Sequence, residues 1–339
     1  MNILIISPVQ SGIGGIAQHI HGLTSFLRSG GYHVDILSSQ NTFTLPIKGL
    51  RNPSFMISAF LKTKFKKEND IVHAHNLPSA LPMKYSTGKK VLTLHGIYSR
   101  QIGVLHGNGM SKISSTYEKD ALHWADAITV ISKEAYDFYT QAGFKVSLVP
   151  NAIDLPSLPS TKERKYQKQI IFAGRLSKEK GIFNLLEMSK KLPQDIHLLI
   201  LGSGPEEEKI KNFAKSHTNI HVMGYIPRER TISLIRGSDV LIQPSIVEGI
   251  SSTILEAMAC KTPIITTNVG GNRELLIHDK SGIIVEPNCP QKMLDQSIDI
   301  INNQKKADLL REEAFNQVQK YDWSQVGKLY LKIYESLLQ

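Results

Sequence analysis

The stretch "DVLIQPSIVEGISSTILEAMACKTPIITT" (239–267) decides the fold. An apolar run of strand length, "DVLIQPS" (239–245), gives way to a turn-forming loop, "EGISS" (248–252). An apolar helical segment then runs through Glu256, and a second strand, "TPIITT" (262–267), follows. Strand, loop, helix and strand make the repeating unit of a parallel sheet. In such sheets ligands bind beyond the carboxyl ends of the strands, so the loop is where chemistry is expected. Glu248 lies just before the helix and Glu256 about one turn inside it. Ser251 or Ser252 can cap that helix. A helix N-terminus has unpaired N–H groups and a partial positive charge, which attract phosphate. Gly249 lets the backbone approach a ligand closely. The spacing suits a nucleotide-sugar. Glu256 would accept hydrogen bonds from a ribose diol, the diphosphate would sit at the helix start, and Glu248 would reach the sugar.

The same alternation extends in both directions. The first half reads as strands at 2–7, 33–38, 70–75, 90–95, 127–132 and 146–150, with helical stretches such as 15–31 and 114–126 between them. A second series starts afresh, with strands at 169–174, 196–202, 220–224, 239–245, 262–267 and 282–287. Between the series, "NAIDLPSLPSTKERKYQKQ" (151–169) reads as a hinge. The 339 residues suit two domains. The expected fold is therefore α/β, with two Rossmann-like domains facing a cleft. The tail 321–339 reads as a last amphipathic helix with Val326, Leu329, Tyr330, Ile333 and Leu337 on one face. "MNILIISPVQ" reads as a first strand and not as a signal peptide. No run reaches the roughly 18 apolar residues of a membrane span. The two cysteines, Cys260 and Cys289, have no metal-type spacing. A reduced, cytoplasmic setting is expected.

The net charge of +10 is unevenly spread: residues 1–150 hold 15 Lys/Arg and 8 Asp/Glu. Such an excess points to an anionic partner. No aromatic-basic array marks a nucleic-acid binder, so no nucleic-acid partner is expected. "LKTKFKKEND" (61–70) sets Lys62, Lys64, Lys66 and Lys67 beside Phe60, Leu61 and Phe65, a mixture suited to an anionic membrane surface. A peripheral station at the inner face of the cell membrane would follow. His73 and His75, with His95 and His106, invite a metal reading, since His-x-His on a strand points both rings to one face. The histidines also fit as ordinary strand-end residues, and no metal is expected.

A second cluster supports the nucleotide-sugar reading. "FAGRLSKEKG" (172–181) places Arg175 and Lys180 after a strand, where two cations can clamp a diphosphate and stabilise a leaving group. "LGSGPEEEKI" (201–210) puts Gly204 in a turn at the next strand end, and "MGYIPRER" (223–230) offers Tyr225 and Ile226 to a nucleobase.

Together these pieces resemble the retaining glycosyltransferases of family 4, which have the two-domain GT-B architecture. The resemblance rests on the E-x7-E pair Glu248 and Glu256, on the upstream Arg175 and Lys180, on "PNAID" (150–154), on "VGGNREL" (269–275) and on "YDW" (321–323). It covers nearly the entire chain. It implies transfer of a sugar from a UDP- or GDP-sugar to an acceptor hydroxyl with retained anomeric configuration. No metal or other cofactor is implied, because basic residues serve the diphosphate. It also implies that Gly14 and Gly15, in "SPVQSGIGGIAQH" (7–19), approach the donor, and that His95, in "TLHGIYSR" (93–100), hydrogen-bonds the transferred sugar. Where the family often has His-Asp, this chain has His95-Gly96, and its "EGFG"-type loop is "EGISS", with Ile250, Ser251 and Ser252. The two serines would offer the donor extra hydrogen bonds. The implied domains are 1–152 with the helix 324–339 packed back on it, and 153–323 as the donor-binding part. A sugar, lipid-linked or phosphorylated acceptor fits the basic first half.

An NAD(P)-dependent oxidoreductase is the alternative. Gly12-x-Gly14-x-x-Ala17 follows a strand and opens a helix, with Asp35 about 20 residues on. But Asp35 precedes "ILSS", so it falls inside the second strand, which is the wrong place for a ribose contact.

Overall fold

A computed structural model describes residues 1–10, 14–47, 49–63, 68–98 and 108–339, with side chains from 115 onward in the last segment. Lys64, Phe65, Lys66 and Lys67 of the basic stretch, Gly12 of the glycine loop, and His106 lie outside the described residues. The chain divides into two compact units, Met1–Ala152 with Trp323–Gln339, and Ile153–Asp322.

The first unit holds β1 (Asn2–Ser7), β2 (His33–Ser38), β3 (Ile71–His75), β4 (Lys89–Leu94), β5 (Ala127–Val130) and β6 (Val146–Leu148). All pair in parallel, in the order β2-β1-β3-β4-β5-β6. Strands covered on both faces are apolar throughout, which is why "NILIIS" and "KVLTL" are readable as strands. Period-2 alternation sorts their side chains. Leu4, Ile6, Val72, Ala74 and Leu92 face one core with Phe55 and Ala59 of helix α2 (Arg51–Thr63). Ile3, Ile5, Ile71 and Val91 face the other, with Ile20, Leu23 and Leu27 of helix α1 (Gly15–Ser29).

The C-terminal helix Trp323–Leu338 joins this second core through Trp323, Val326, Tyr330 and Tyr334. It crosses α1 closely: a Cβ on Gly22 would fall within 1.9 Å of the Trp323 ring, and one on Gly327 within 2.4 Å of Phe26. The buried face differs from the sequence expectation at two positions. Leu329 is exposed, and the fully buried Tyr334 takes part instead.

The second unit holds β7 (Gln169–Ala173), β8 (His197–Leu201), β9 (Ile220–Gly224), β10 (Val240–Gln243), β11 (Ile264–Thr267) and β12 (Ile283–Val285). They too are all parallel, in the order β12-β11-β10-β7-β8-β9. Traced from its other edge, this sheet turns back on itself between β7 and β10, the doubly wound pattern in which the chain first builds one half and then the other. In the first sheet the third strand inserts beside the first, the flavodoxin-like order, and the reversal lies between β1 and β3.

The stretch expected as a hinge is tied down from Ile153 onward. The Ile153 amide donates to the Tyr321 carbonyl at 2.9 Å. Glu163 pairs with Arg230 through both carboxylate oxygens, and Arg164 with Asp239 at 2.6 Å. Glu163, Arg164 and Lys168 find partners elsewhere in the second unit.

Candidate active site

In the second unit the reversal between β7 and β10 opens the crevice where an α/β sheet binds ligands. The loops after these strands are welded by backbone contact. The amides of Ile246 and Val247 donate to the Glu179 carbonyl at 2.8 and 3.2 Å. Gly181 (φ +69°) lies so close to Pro244 that a Cβ would fall 1.7 Å from its carbonyl oxygen. The loop after β11 is docked likewise: the Gly271 amide donates to the Gly249 carbonyl at 2.8 Å, and Gly270 (φ +50°) abuts the Glu248 carbonyl. Any side chain at Gly181 or Gly270 would prise these loops apart.

This scaffold brings Lys180 and Glu248 together across the reversal. Lys180 Nζ donates to Glu248 Oε2 at 2.5 Å, and Ser245 Oγ donates to the same oxygen at 3.1 Å. Lys180, expected as a phosphate clamp, is thus held by a carboxylate. Arg175 stays largely solvent-exposed, with Glu179 3.8 Å away.

The helix Ser252–Ala259 starts one residue after Ser251, whose hydroxyl accepts from the Ile254 amide. That leaves the amides of Ser252 and Thr253 with no partner inside the helix. Glu256, in the helix, is buried, and Arg228 Nε, from the first residue of the helix Arg228–Arg236, donates to its Oε1 at 2.9 Å. Burial raises the Glu256 pKa, and the Arg228 charge and hydrogen bond oppose that rise. The sequence gives no sign of Arg228's role. In "IPRER" nothing distinguishes it from Arg230, which turns away to Glu163.

Three of the residues expected at the donor also take part in packing or capping. The Ile250 side chain is buried and would touch any side chain placed at Gly271, so it packs the loop. Ser251 is buried, and its hydroxyl oxygen accepts in the helix cap while its O–H remains to donate. Gly204 owes its identity to packing, since a Cβ there would sit 2.3 Å from the Leu176 carbonyl oxygen. Ser252 is half-buried, Tyr225 is well exposed just after β9, and Ile226 is half-buried beside it.

The first unit presents a different constellation. His73 and His75 alternate with Ile71 on one face of β3, and Thr93 and His95 continue the Val91 face of β4. His19 of α1 comes down on them, so His19, His73, His75 and His95 are all buried together. His19 Nδ1 meets Asn151 Oδ1 at 3.1 Å and its Nε2 meets the Tyr330 hydroxyl at 3.1 Å. His73 bonds the Tyr334 hydroxyl and Thr93 Oγ1, both at 2.6 Å, and His75 Nδ1 lies 3.2 Å from His95 Nε2. Burial lowers all four pKa values, that of His19 to about 4, so every ring is neutral at pH 7.

One nitrogen each from His19, His75 and His95 fall within 4.8 Å of one another. The hydrogen bonds argue against a metal there. Asn151 Oδ1 can only accept, so His19 Nδ1 carries its proton and Nε2 accepts from Tyr330, leaving no lone pair for an ion. Nothing in the sequence marks His19, Asn151, Tyr330 and Tyr334 as one group; only the fold gathers them. His95 itself is 9% exposed, and its amide is held by Asn76 Oδ1 at 2.9 Å. Gly14 caps α1 at φ +126°, a conformation that favours glycine, with open space where a Cβ would be, and Gly15 begins the helix. Asp35 sits in register with Leu4, midway along β1, and is exposed.

Two six-stranded parallel sheets with these loops define a GT-B-type α/β protein. The fold matches sucrose-phosphate synthase from Thermosynechococcus elongatus, at 20% identity over 99% of this chain and 98% of that one, with a TM-score of 0.83. It also matches Anabaena HepE in complex with UDP-glucose, at 16% identity over 99% and 100% of the two chains, TM-score 0.76. In sequence, a glycosyltransferase of Methanocaldococcus jannaschii is 25% identical over 99% of each chain. Residues 13–156 match the model for Glycosyltransferase Family 4, and 157–317 that for Glycosyl transferases group 1. The chain belongs to this family of retaining glycosyltransferases, enzymes that take a sugar from a nucleotide-sugar.

Proposed function

We propose that the crevice of the second unit binds a UDP- or GDP-sugar and that the enzyme transfers the sugar to an acceptor hydroxyl in glycolipid, polysaccharide or glycan synthesis. The observation that carries this is the Lys180–Glu248 pair, set across the β7/β10 reversal beside a capped helix that contains Glu256. UDP is favoured because HepE, which shares the fold, holds UDP-glucose.

Glu256 accepts from the ribose. The amides at the start of the 252–259 helix, with Arg175 and Lys180, receive the diphosphate. When a donor enters, Lys180 turns partly from Glu248 to phosphate, and Glu248 turns to the sugar. The acceptor oxygen then bonds to the anomeric carbon as the bond to the β-phosphate oxygen breaks. The departing phosphate takes the hydroxyl proton, and the two cations stabilise its charge. Gly14, Gly15 and His95 of the first unit are assigned to the sugar and acceptor. His95, kept neutral by burial, is suited to hydrogen bonding and not to carrying charge. The excess of cations in residues 1–150 favours a phosphorylated or lipid-linked acceptor.

Calorimetry against UDP-, GDP- and ADP-sugars tests the reading. Heat with one of the first two is expected, and its loss in Lys180→Ala. An intact protein that shows no heat with any of them would overturn it.

A further inference from the structure

Helix α2 is apolar on two opposite faces. Phe55 and Ala59 are buried in the core of the first unit, while Ile57 and Leu61, four residues apart on the far side, are 60% and 52% exposed. Leu50, seven residues before Ile57, continues the exposed stripe. Helix faces on the surface of a protein are ordinarily polar, and an unpartnered apolar stripe marks a binding face.

The segment before the helix enlarges this stripe. Lys62 Nζ donates to the Asn41 carbonyl, Ser58 Oγ donates to the Phe43 carbonyl at 2.6 Å, and Ser54 Oγ accepts from the Leu45 amide at 2.9 Å. Positions 62, 58 and 54 are one helical turn apart, and 41, 43 and 45 are alternate residues. The segment therefore runs antiparallel along α2, pinned once per turn. Phe43 (69% exposed) and Ile47 stand out beside the helix. The pins also satisfy backbone groups of Phe43 and Leu45, which lowers the cost of moving this ledge into a less polar medium. Phe60 packs on Tyr85, itself exposed, with ring centroids 5.0 Å apart. The charge in this part of the chain has one sign. Between Asp35 and Glu68 the sequence has no acid, while Lys48, Arg51, Lys62, Lys64, Lys66 and Lys67 are basic.

We propose that α2 and residues 41–47 dock the protein on an anionic lipid bilayer, with Phe43, Ile47, Leu50, Ile57 and Leu61 entering the headgroup–acyl boundary. Exposed apolar side chains on one helix with Arg51 and Lys62, in a stretch of sequence free of acids from residue 36 to 67, suit an anionic lipid interface. No described helix is long and apolar enough to cross a membrane. The proposal deepens the acceptor side of the function proposed above and rests on it only in that a lipid-linked acceptor would be met there.

Co-sedimentation of the full chain with vesicles of phosphatidylglycerol and phosphatidylcholine in equal parts tests it, with phosphatidylcholine alone as the control. Binding to the anionic vesicles only, weakened by salt, is expected. Ile57→Ser with Leu61→Ser should reduce partitioning at least about tenfold at unchanged thermal stability, since both side chains are exposed. Arg51→Gln should reduce it roughly fivefold. Failure to bind anionic vesicles, or undiminished binding by the folded double variant, overturns the proposal. So does a dimer, seen in sedimentation velocity, that the double variant abolishes, because the face would then belong to a second copy. The assay contains no donor, so its failure leaves the transferase reading untouched.

Discussion

The two units solve one architectural problem with opposite chemistry. Each stacks six parallel strands, and each must place polar groups where the strands end. The second unit does so with charge. Lys180 and Glu248 pair across the reversal, Arg228 and Glu256 pair next to it, and both pairs retain solvent contact. The first unit does so without charge. Four histidines are buried neutral, with Tyr330, Tyr334, Thr93 and Asn151 among their partners. A site that must release a diphosphate needs fixed cations in place before the chemistry. A unit whose interior is built from neutral imidazoles keeps an ordered polar network without burying charge, provided the pH stays high enough.

That contrast is broken most forcefully at Lys180. Lys180→Ala should raise the barrier by about 2–4 kcal/mol, a factor of order 30 to 1,000 in turnover. Stability, read from the melting temperature, should fall by less than the barrier rises, since Glu248 keeps the Ser245 hydroxyl and some solvent contact when its cation is removed. Steady-state rates and thermal melts on the same preparation check both halves. Unchanged turnover would remove Lys180 from the mechanism.

Acid should act on the other unit. A buried histidine with a lowered folded-state pKa stabilises the fold fully above its unfolded value of 6.5. It loses that contribution as pH falls through its folded value, because the unfolded chain takes up the proton first. For His19 the window runs from 6.5 to about 4, and the loss is on the order of 3 kcal/mol. Melts in steps from pH 7 to pH 4 should show the decline, and His19→Gln should flatten it. A profile identical in that variant would count against buried neutral imidazole as the cause.

How much of this is legible in the sequence depends on distance along the chain. "QIIFAG" reads as a strand at 169–174 and the strand is Gln169–Ala173, because doubly covered strands are short apolar runs bounded by turns. The E-x7-E pair is legible for a similar reason: both acids lie on one loop-helix element. That His73 and His75 share a face follows from strand period, and their rings are indeed 4.1 Å apart. The arrival of His19 and Tyr330 does not follow, since they come from helices 54 residues before and 257 residues after His73. The packing of Ile250 and the burial of Ser251 are not legible, because a loop sequence does not say which side chains turn inward.

A finer test of the first unit is Tyr334→Phe. It removes the hydroxyl from His73 Nδ1 and leaves a fully buried ring nitrogen unpaired, which should cost about 1–3 kcal/mol of stability. Nucleotide affinity should stay unchanged in calorimetry, because the change lies in the core of the first unit. If donor binding fell with stability, the division of labour between the units would be wrong.

The smallest effect expected is at Arg228, and it sharpens the charged side of the comparison. In the proposed site Glu256 accepts from the ribose most strongly when ionised, yet burial raises its pKa, and Arg228 opposes that. A raised acid makes the fold more stable when protonated and lowers its stability as pH rises through the folded value. Ligand binding has the reverse dependence, failing as pH falls through that value. Arg228→Gln keeps a hydrogen-bonding side chain and removes the charge, so the Glu256 pKa should rise further. The acid limb of the binding curve should then be displaced to higher pH, with affinity unchanged on its alkaline side. Nucleotide titrations at several pH values separate this from a direct role of Arg228 at the ligand. If the guanidinium touched the nucleotide itself, its removal would weaken binding equally at every pH. A charge acting through Glu256 must instead leave binding unchanged where the carboxyl group is fully ionised and weaken it progressively as pH falls.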